Sequence, residues 1–411
     1  MKLSEELEAR GFIHQFTAET LAEIVDGEKR VVYHGVDPTA DSIHAGNFVQ
    51  WMLLRHLSNY GHKIILLVGG GTGMIGDPKP DVERPLIEQS EVERRVQKIK
   101  LQAENLLGGN EITVVNNYDW LGSVGLLTFL RDIGKHFTVN ELIKKDAIAT
   151  RLQSENGLSY TEFAYPLLQG LDYLTLYREK GCTLQTGGSD QWGNLVAGVD
   201  LIRRKEQKTV YALTVPLIID KATGKKFGKS EGNAVWLDAE KTSPFVFYQF
   251  WFNASDESVV DYLKLFTMLS LVEIEQIALE VAQNPGARTA QKKLALEVTT
   301  IVHGFDNATA VARVSEVLFG DLTIGALNAS EQALLEANAP LVTVDLKASV
   351  IDVLMVANLA KSKREARTFI ESGAVTINGN KVLAVTDTMG DTVSLVLLKR
   401  GKKNLSLVKV G

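Results

Sequence analysis

The chain has 411 residues, 45% of them hydrophobic and 23% charged. This is an ordinary globular composition, too long for a single core, and it points to two or three domains. The single cysteine, Cys182, excludes an intrachain disulfide and a cysteine-built zinc knuckle. The acidic, amphipathic start MKLSEELEARGF has neither a secretory nor a transit pattern. The longest apolar run, IILLVGGGTGMIG, is broken by glycines far short of a membrane span, so a cytoplasmic protein with no membrane partner is expected. The net charge of −6 is unevenly spread: residues 347–411 carry 11 Lys+Arg against 5 Asp+Glu, or +6, which leaves −12 on residues 1–346. A basic tail on an acidic body suggests a nucleic-acid contact, although a solvated charged face would have the same composition.

In chain order, KRVVYHGVD (29–37) reads as a buried strand. ADSIHAGNFVQWMLLRHLSNYGH (40–62) reads as a helix, with Ser42 as its cap and Gly61 as its stop, and KIILLVGG as a second strand. Strand, helix and strand imply a parallel α/β unit of the nucleotide-binding kind. Further strands are expected at EITVVNNYDW (111–120), CTLQTGG (182–188) and VPLIID (215–220). Ligands in such sheets bind beyond the carboxyl ends of the strands. YHGVDPT, GGGTGMIGDP and QTGGSDQWGN all fall there.

From about 240 to 320 the pattern is helical, and 321–345 reads as a linker. The last 65 residues begin with the helix ASVIDVLMVANLA. A second helix, SKREARTFIESG, follows, with Ser362 and Glu365 spaced as a capping box and Gly373 as its stop. AVTINGNKV then reads as a strand turning at Asn-Gly. The expected division is a Rossmann-like α/β domain with a parallel sheet over 1–220, a lysine loop with an α-helical domain over 221–320, the linker 321–345, and a small α+β module over 346–411, which resembles the RNA-binding module of a ribosomal small-subunit protein.

Three groups of residues could carry chemistry. His44 and Asn47, in HAGN at a helix start, could donate to an anion, though HAGN by itself is an ordinary polar turn. Lys226 and Lys229, in TGKKFGKSEGN, could close ammonium groups onto a polyphosphate. Tyr165, Gln169 and Asp172 are spaced i, i+4, i+7 in YTEFAYPLLQGLDYLTLY, so one helix face carries three polar groups where a core stripe would be apolar.

Together these residues resemble the class I aminoacyl-tRNA synthetases, in their bacterial-type tyrosine-specific branch. DPTADSIHAGN is similar to the His-Ile-Gly-His signature and KFGKS to the Lys-Met-Ser-Lys-Ser signature. LVGGGTGMIGDP, TEFAYPLLQGLDYLTLY and LQTGGSDQWGN resemble the tyrosine branch closely. The resemblance spans nearly the whole chain. It implies that L-tyrosine is activated with ATP and Mg2+ to tyrosyl-adenylate and then transferred to its tRNA.

It further implies that Asp77, Tyr165 and Gln169 hold the substrate ammonium, that Gln191 lies near the carboxylate, and that Tyr33 and Asp172 bracket the phenol. Gly35, Asp37, Thr39, Gly188 and Asp190 would face the nucleotide with His44, Asn47, Lys226 and Lys229. Asn47 replaces the second histidine of the fuller signature; it keeps a donor and loses the possibility of a charge. Arg288, Lys292 and Lys293 in the helical region, and Lys361, Lys363, Arg364 and Arg367 in the tail, would meet tRNA phosphates. A homodimer is expected through residues 116–146. The alternatives are a tryptophan-specific relative and a non-catalytic RNA-binding descendant.

Overall fold

The computed structural model describes residues 1–78, 88–153, 157–221, 224, 227–230, 233–390, 394–401 and 403–411. Two compact units emerge, one formed by residues 1–242 with 253–294 and the other by 243–252 with 295–411. The helical region 240–320 is therefore shared between them.

The first unit is built on a six-stranded sheet of β1 (Gln15–Phe16), β2 (Val31–Val36), β3 (Lys63–Val68), β4 (Ile112–Asn116), β5 (Cys182–Gly188) and β6 (Tyr211–Val215), in the order β1-β6-β5-β2-β3-β4. All neighbours run parallel except β1, which pairs antiparallel with β6. The internal strand β3 is buried from Ile64 to Val68, and a continuous apolar run is what a parallel strand covered on both faces requires. From β2 the chain moves outward through β3 to β4, then returns to place β5 on the other side of β2. That reversal opens a crevice at the carboxyl ends of β2 and β5. The register pairs Tyr33 with Gln185 and His34 with Thr186, so side chains from the two strands enter the crevice side by side.

Three strand and helix expectations change. The strand expected over 215–220 lies earlier in the chain, as β6 over Tyr211–Val215, and shares only Val215 with that stretch; its ladder goes no further because Pro216 has no N–H to offer it. β4 stops at Asn116, and Tyr118–Leu121 is a short helix. The helix expected over 40–62 begins only at Phe48 and ends at Asn59. Residues 43–45 pair instead with a downstream segment: Ala45 N donates to Val235 O and Leu237 N to Ile43 O. Ser42 is thus not a helix cap, and its hydroxyl donates to the Ile43 carbonyl.

The helix Tyr160–Lys180 begins at a capping box between Ser159 and Glu162 and ends at Gly181 in the left-handed region (φ 66°).

In the first unit, β7 (Lys229–Ser230) and β8 (Asn233–Ala234) form a separate two-stranded ladder within the lysine loop. In the second unit, β9 (Leu341–Val344) joins β10 (Val375–Ile377), β11 (Asn380–Lys381), β12 (Ser394–Arg400) and β13 (Asn404–Val410) in the order β11-β10-β12-β13-β9. Helices Val350–Val356 and Lys363–Glu371 pack on this sheet around Leu354, Ala366, Ile370, Leu398 and Val408. The stretch 321–345 is not a linker. It contains the helix Ala329–Asn338, capped reciprocally by Asn328 and Glu331, and the strand β9, which pairs parallel with β13. Ser362 caps the helix Lys363–Glu371 as expected, but Glu365 takes the N–H of Lys361 rather than that of Ser362, so the capping box is incomplete. The hairpin turns at Asn378 and Gly379, both with positive φ. Among the described residues, no helix is long and apolar enough to cross a membrane.

Candidate active site

The crevice is a cavity of about 250 Å³ walled by the ends of β2 and β5, the loops after β2 and β3, and the inner face of the helix Tyr160–Lys180. Tyr33, Gly35, Asp37, Thr39, Asn47, Asp77, Tyr165, Gln169, Asp172, Gly188, Asp190 and Gln191 all line it.

At its floor, Asp172 is 2% exposed. Its Oδ1 accepts from Trp120 Nε1 at 2.8 Å and its Oδ2 from Asn117 Nδ2 at 2.9 Å. Burial raises its pKa to about 7, against the two donors, which favour the carboxylate; the nearby Asp37 charge adds to the rise. Tyr33 is 1% exposed, and its hydroxyl has no hydrogen-bond partner among the described residues. A buried unpaired hydroxyl costs about 1–3 kcal/mol, which a ligand's polar group would recover. Asn117 is satisfied throughout: its oxygen accepts from Gly71 N, and its amide nitrogen reaches both Thr72 and Asp172.

Midway up, the Tyr165 hydroxyl donates to Asp37 Oδ2 at 2.9 Å, and Thr72 donates to the other oxygen of Asp37. Asp37 thus faces the inner part of the cavity as well as the loop. Asp77 accepts from Gln191 Nε2 at 2.8 Å and from Asn194 Nδ2 at 3.1 Å.

At the mouth, His44 is extended (φ −116°, ψ 161°), and its Nδ1 accepts from the Gly46 N–H at 3.1 Å. An accepting Nδ1 is unprotonated, so the imidazole is neutral and carries its hydrogen on Nε2. Its ring meets Trp236 edge-on at 5.8 Å. Gly46, Asn47 and Gln50, rather than the His44 ring, form the wall.

The lysine loop lies against this turn. Gly228 has φ 95°, and a Cβ there would fall 2.2 Å from Gly46 N, so only glycine fits. Phe227 packs on Tyr262 at 4.7 Å and Phe266 at 5.4 Å. The backbone of Lys229 belongs to a two-residue ladder between β7 (Lys229–Ser230) and β8 (Asn233–Ala234). Lys226 lies outside the described residues.

Residues 26–320 match the family model for tRNA synthetases class I (W and Y), and residues 331–408 that for a tyrosine–tRNA ligase SYY-like C-terminal domain. A tyrosine–tRNA ligase of Chromobacterium violaceum is 47% identical over 99% of this chain and 98% of its own. One from Leuconostoc mesenteroides is 45% identical over the full length of both. The solved C-terminally truncated mitochondrial tyrosyl-tRNA synthetase of Aspergillus nidulans superposes with a TM-score of 0.70 at 31% identity, covering 77% of this chain and 94% of that one.

The chain belongs to the class I tRNA synthetases.

Lys361, Lys363, Arg364 and Arg367 are all exposed on or beside the helix Lys363–Glu371, with Lys363 paired to Asp352 at 2.7 Å. Lys292 is exposed and Lys293 half-buried on the helix Thr289–His303, which Arg288 precedes with φ 53°.

Several groups at or behind the cavity wall carry no mark in the sequence. Asn117 and Trp120, which hold Asp172 without lining the cavity, fall in the stretch expected at a subunit interface, although their place just past the end of β4 puts them on the same rim as the other loops. His34 lines the cavity, donating or accepting at Thr186, and burial lowers its pKa to about 4, so it is neutral. Gln185 lines it as the cross-strand neighbour of Tyr33.

Proposed function

We infer that this chain is a tyrosine–tRNA ligase that joins L-tyrosine to ATP as tyrosyl-adenylate, releases pyrophosphate, and passes the tyrosyl group to tRNA. The observation that carries this reading is the floor of the cavity. A carboxylate fixed by two donors lies in the same buried pocket as a tyrosine hydroxyl that still needs a partner. A phenol would donate to Asp172 and accept from Tyr33. Phenylalanine would leave the Tyr33 hydroxyl unpaired and Asp172 with its two protein donors alone, the form of discrimination for which tyrosine-specific synthetases are the known example.

Asp77 takes the substrate ammonium with Gln169. Tyr165 joins them as an acceptor, since its own hydrogen is committed to Asp37. Gln191 then meets the substrate carboxylate, which attacks the α-phosphate while pyrophosphate leaves. No covalent intermediate on the protein is required, so the residues act by positioning and by stabilising charge.

Gly35, Thr39, Gly188 and Asp190 hold the adenosine side. Gly188 admits the Asp190 carboxylate, which would lie 2.5 Å from any Cβ there. His44, through Nε2–H, and Asn47 supply neutral donors to the phosphates. Lys226 and Lys229 supply the positive charge. Mg2+ enters with ATP as the counter-ion of its phosphates, as part of the substrate.

The tRNA is held by the basic residues Arg288, Lys292 and Lys293 and by the tail cluster Lys361, Lys363, Arg364 and Arg367. A homodimer through residues 116–146 is supported by an exposed apolar face on which Leu126, Leu127 and Val139 are 70%, 80% and 60% accessible. A tryptophan-specific reading is not favoured, because the full-length relatives above are tyrosine–tRNA ligases. The test is ATP–pyrophosphate exchange with each amino acid in turn. Exchange that depends on tyrosine is expected; exchange driven by tryptophan would overturn the assignment.

A further inference from the structure

Behind the cavity wall, three polar side chains close a ring. Asn194 Nδ2 donates to Asp77 Oδ1 and to Gln191 Oε1, each at 3.1 Å, and Gln191 Nε2 donates to Asp77 Oδ2 at 2.8 Å. Asp77 and Gln191 line the cavity; Asn194 does not. The ring admits one orientation of each amide. A carboxylate only accepts, so both amides turn nitrogen toward Asp77, and the Gln191 oxygen is taken up by Asn194. The edge of Gln191 left for a ligand is therefore its second N–H. Asn194 sits in the first turn of the helix Trp192–Glu206, and Lys145 Nζ holds the same turn through the Gly193 carbonyl at 2.8 Å.

We propose that Asn194 is a positioning residue that fixes the Gln191 amide so that it presents an N–H, and not its carbonyl oxygen, to the carboxylate of tyrosine. The proposal rests on the reading of Gln191 given above. A donor facing the reacting carboxylate steadies it for attack; an oxygen in the same place would repel it. Without Asn194, the Gln191 oxygen loses its tether and the amide can turn about its last torsion.

The experiment compares L-tyrosine with tyramine, which lacks the carboxylate, as ligands of the full chain by equilibrium dialysis. Single-turnover adenylate formation is measured alongside. Asn194→Ala is expected to weaken tyrosine about tenfold, the size of one hydrogen bond to a charged group, to slow adenylate formation, and to change tyramine binding by less than about twofold. Asn194→Asp is the sharper variant. Gln191 would donate one N–H to each carboxylate and turn its oxygen on the substrate, so tyrosine binding falls further while tyramine holds or gains. Equal weakening of both ligands, or no change in either, would overturn the proposal. Gln191→Ala serves as the control. If it leaves the ratio of tyrosine to tyramine affinity as in the parent chain, the placing of Gln191 at the carboxylate is what fails, whatever Asn194 does.

Discussion

Trp120 donates its indole N–H to Asp172 at 2.8 Å, linking the short helix after β4 to the centre of the helix Tyr160–Lys180. The bond orients the carboxylate and favours its charged form against the burial that raises its pKa to about 7. Trp120→Phe removes the donor and keeps much of the packing. The preference for tyrosine over phenylalanine, measured as the ratio of kcat/KM values, should fall by about tenfold, as for one lost hydrogen bond to a charged group. Asp172→Ala should lower the ratio further.

The same carboxylate gives a pH dependence of defined sign. Accepting the phenol proton favours ionised Asp172, so tyrosine binding should weaken as pH falls through about 7, by up to about tenfold per unit below it. Phenylalanine, which offers no such proton, should show no matching change. For stability the sign is opposite. The folded pKa lies above the unfolded value of 3.8, so between about 4 and 7 the folded state binds the extra proton. The contribution of Asp172 to stability is then most favourable below about 4, declines as pH rises to about 7, and is flat above. Isothermal titration of tyrosine across this range checks the first statement. Comparison of the denaturation profiles of the parent chain and Asp172→Asn checks the second.

Gly228 is required by the contact of the lysine loop with the HAGN turn. Gly228→Ala places a Cβ 2.2 Å from Gly46 N at φ 95°, so the loop must move away. Adenylate formation in a single turnover should slow by more than about tenfold, while the dissociation constant of tyrosine changes little. Lys229→Ala should show the same separation of rate from affinity.

The sheet, its strand ends and the row Tyr165, Gln169, Asp172 were legible because period and turn chemistry are local. What could not be read was long-range competition. Residues 43–45 have helix-compatible side chains, but hydrogen bonds with Val235 and Leu237, nearly two hundred residues on, tie them down and hold His44 extended. Asn117 and Trp120 carry no local mark of their role, since Asp172 reaches them only through the fold. Stretch 321–345 looks like a linker for the same reason: β9 is a four-residue segment whose partner, β13, lies some sixty residues on.

That pairing sets where the chain can be cut. Ending it just before residue 345 leaves β9 without β13, whereas ending it at 320 removes the helix Ala329–Asn338 and the whole second sheet. A chain of residues 1–320 should retain tyrosine-dependent pyrophosphate exchange and lose most of its tRNA charging, measured as tyrosyl-tRNA formed at moderate salt. Charging at the full-length rate would remove the tail from tRNA binding.

The most direct test is active-site titration of the full chain with ATP and one amino acid at a time, following the burst of pyrophosphate release. The expected result is a tyrosine-dependent burst from the parent chain, no burst with tryptophan, and loss of the advantage over phenylalanine in Asp172→Ala. A burst with tryptophan, or an unchanged tyrosine preference in Asp172→Ala, would contradict the assignment of this pocket.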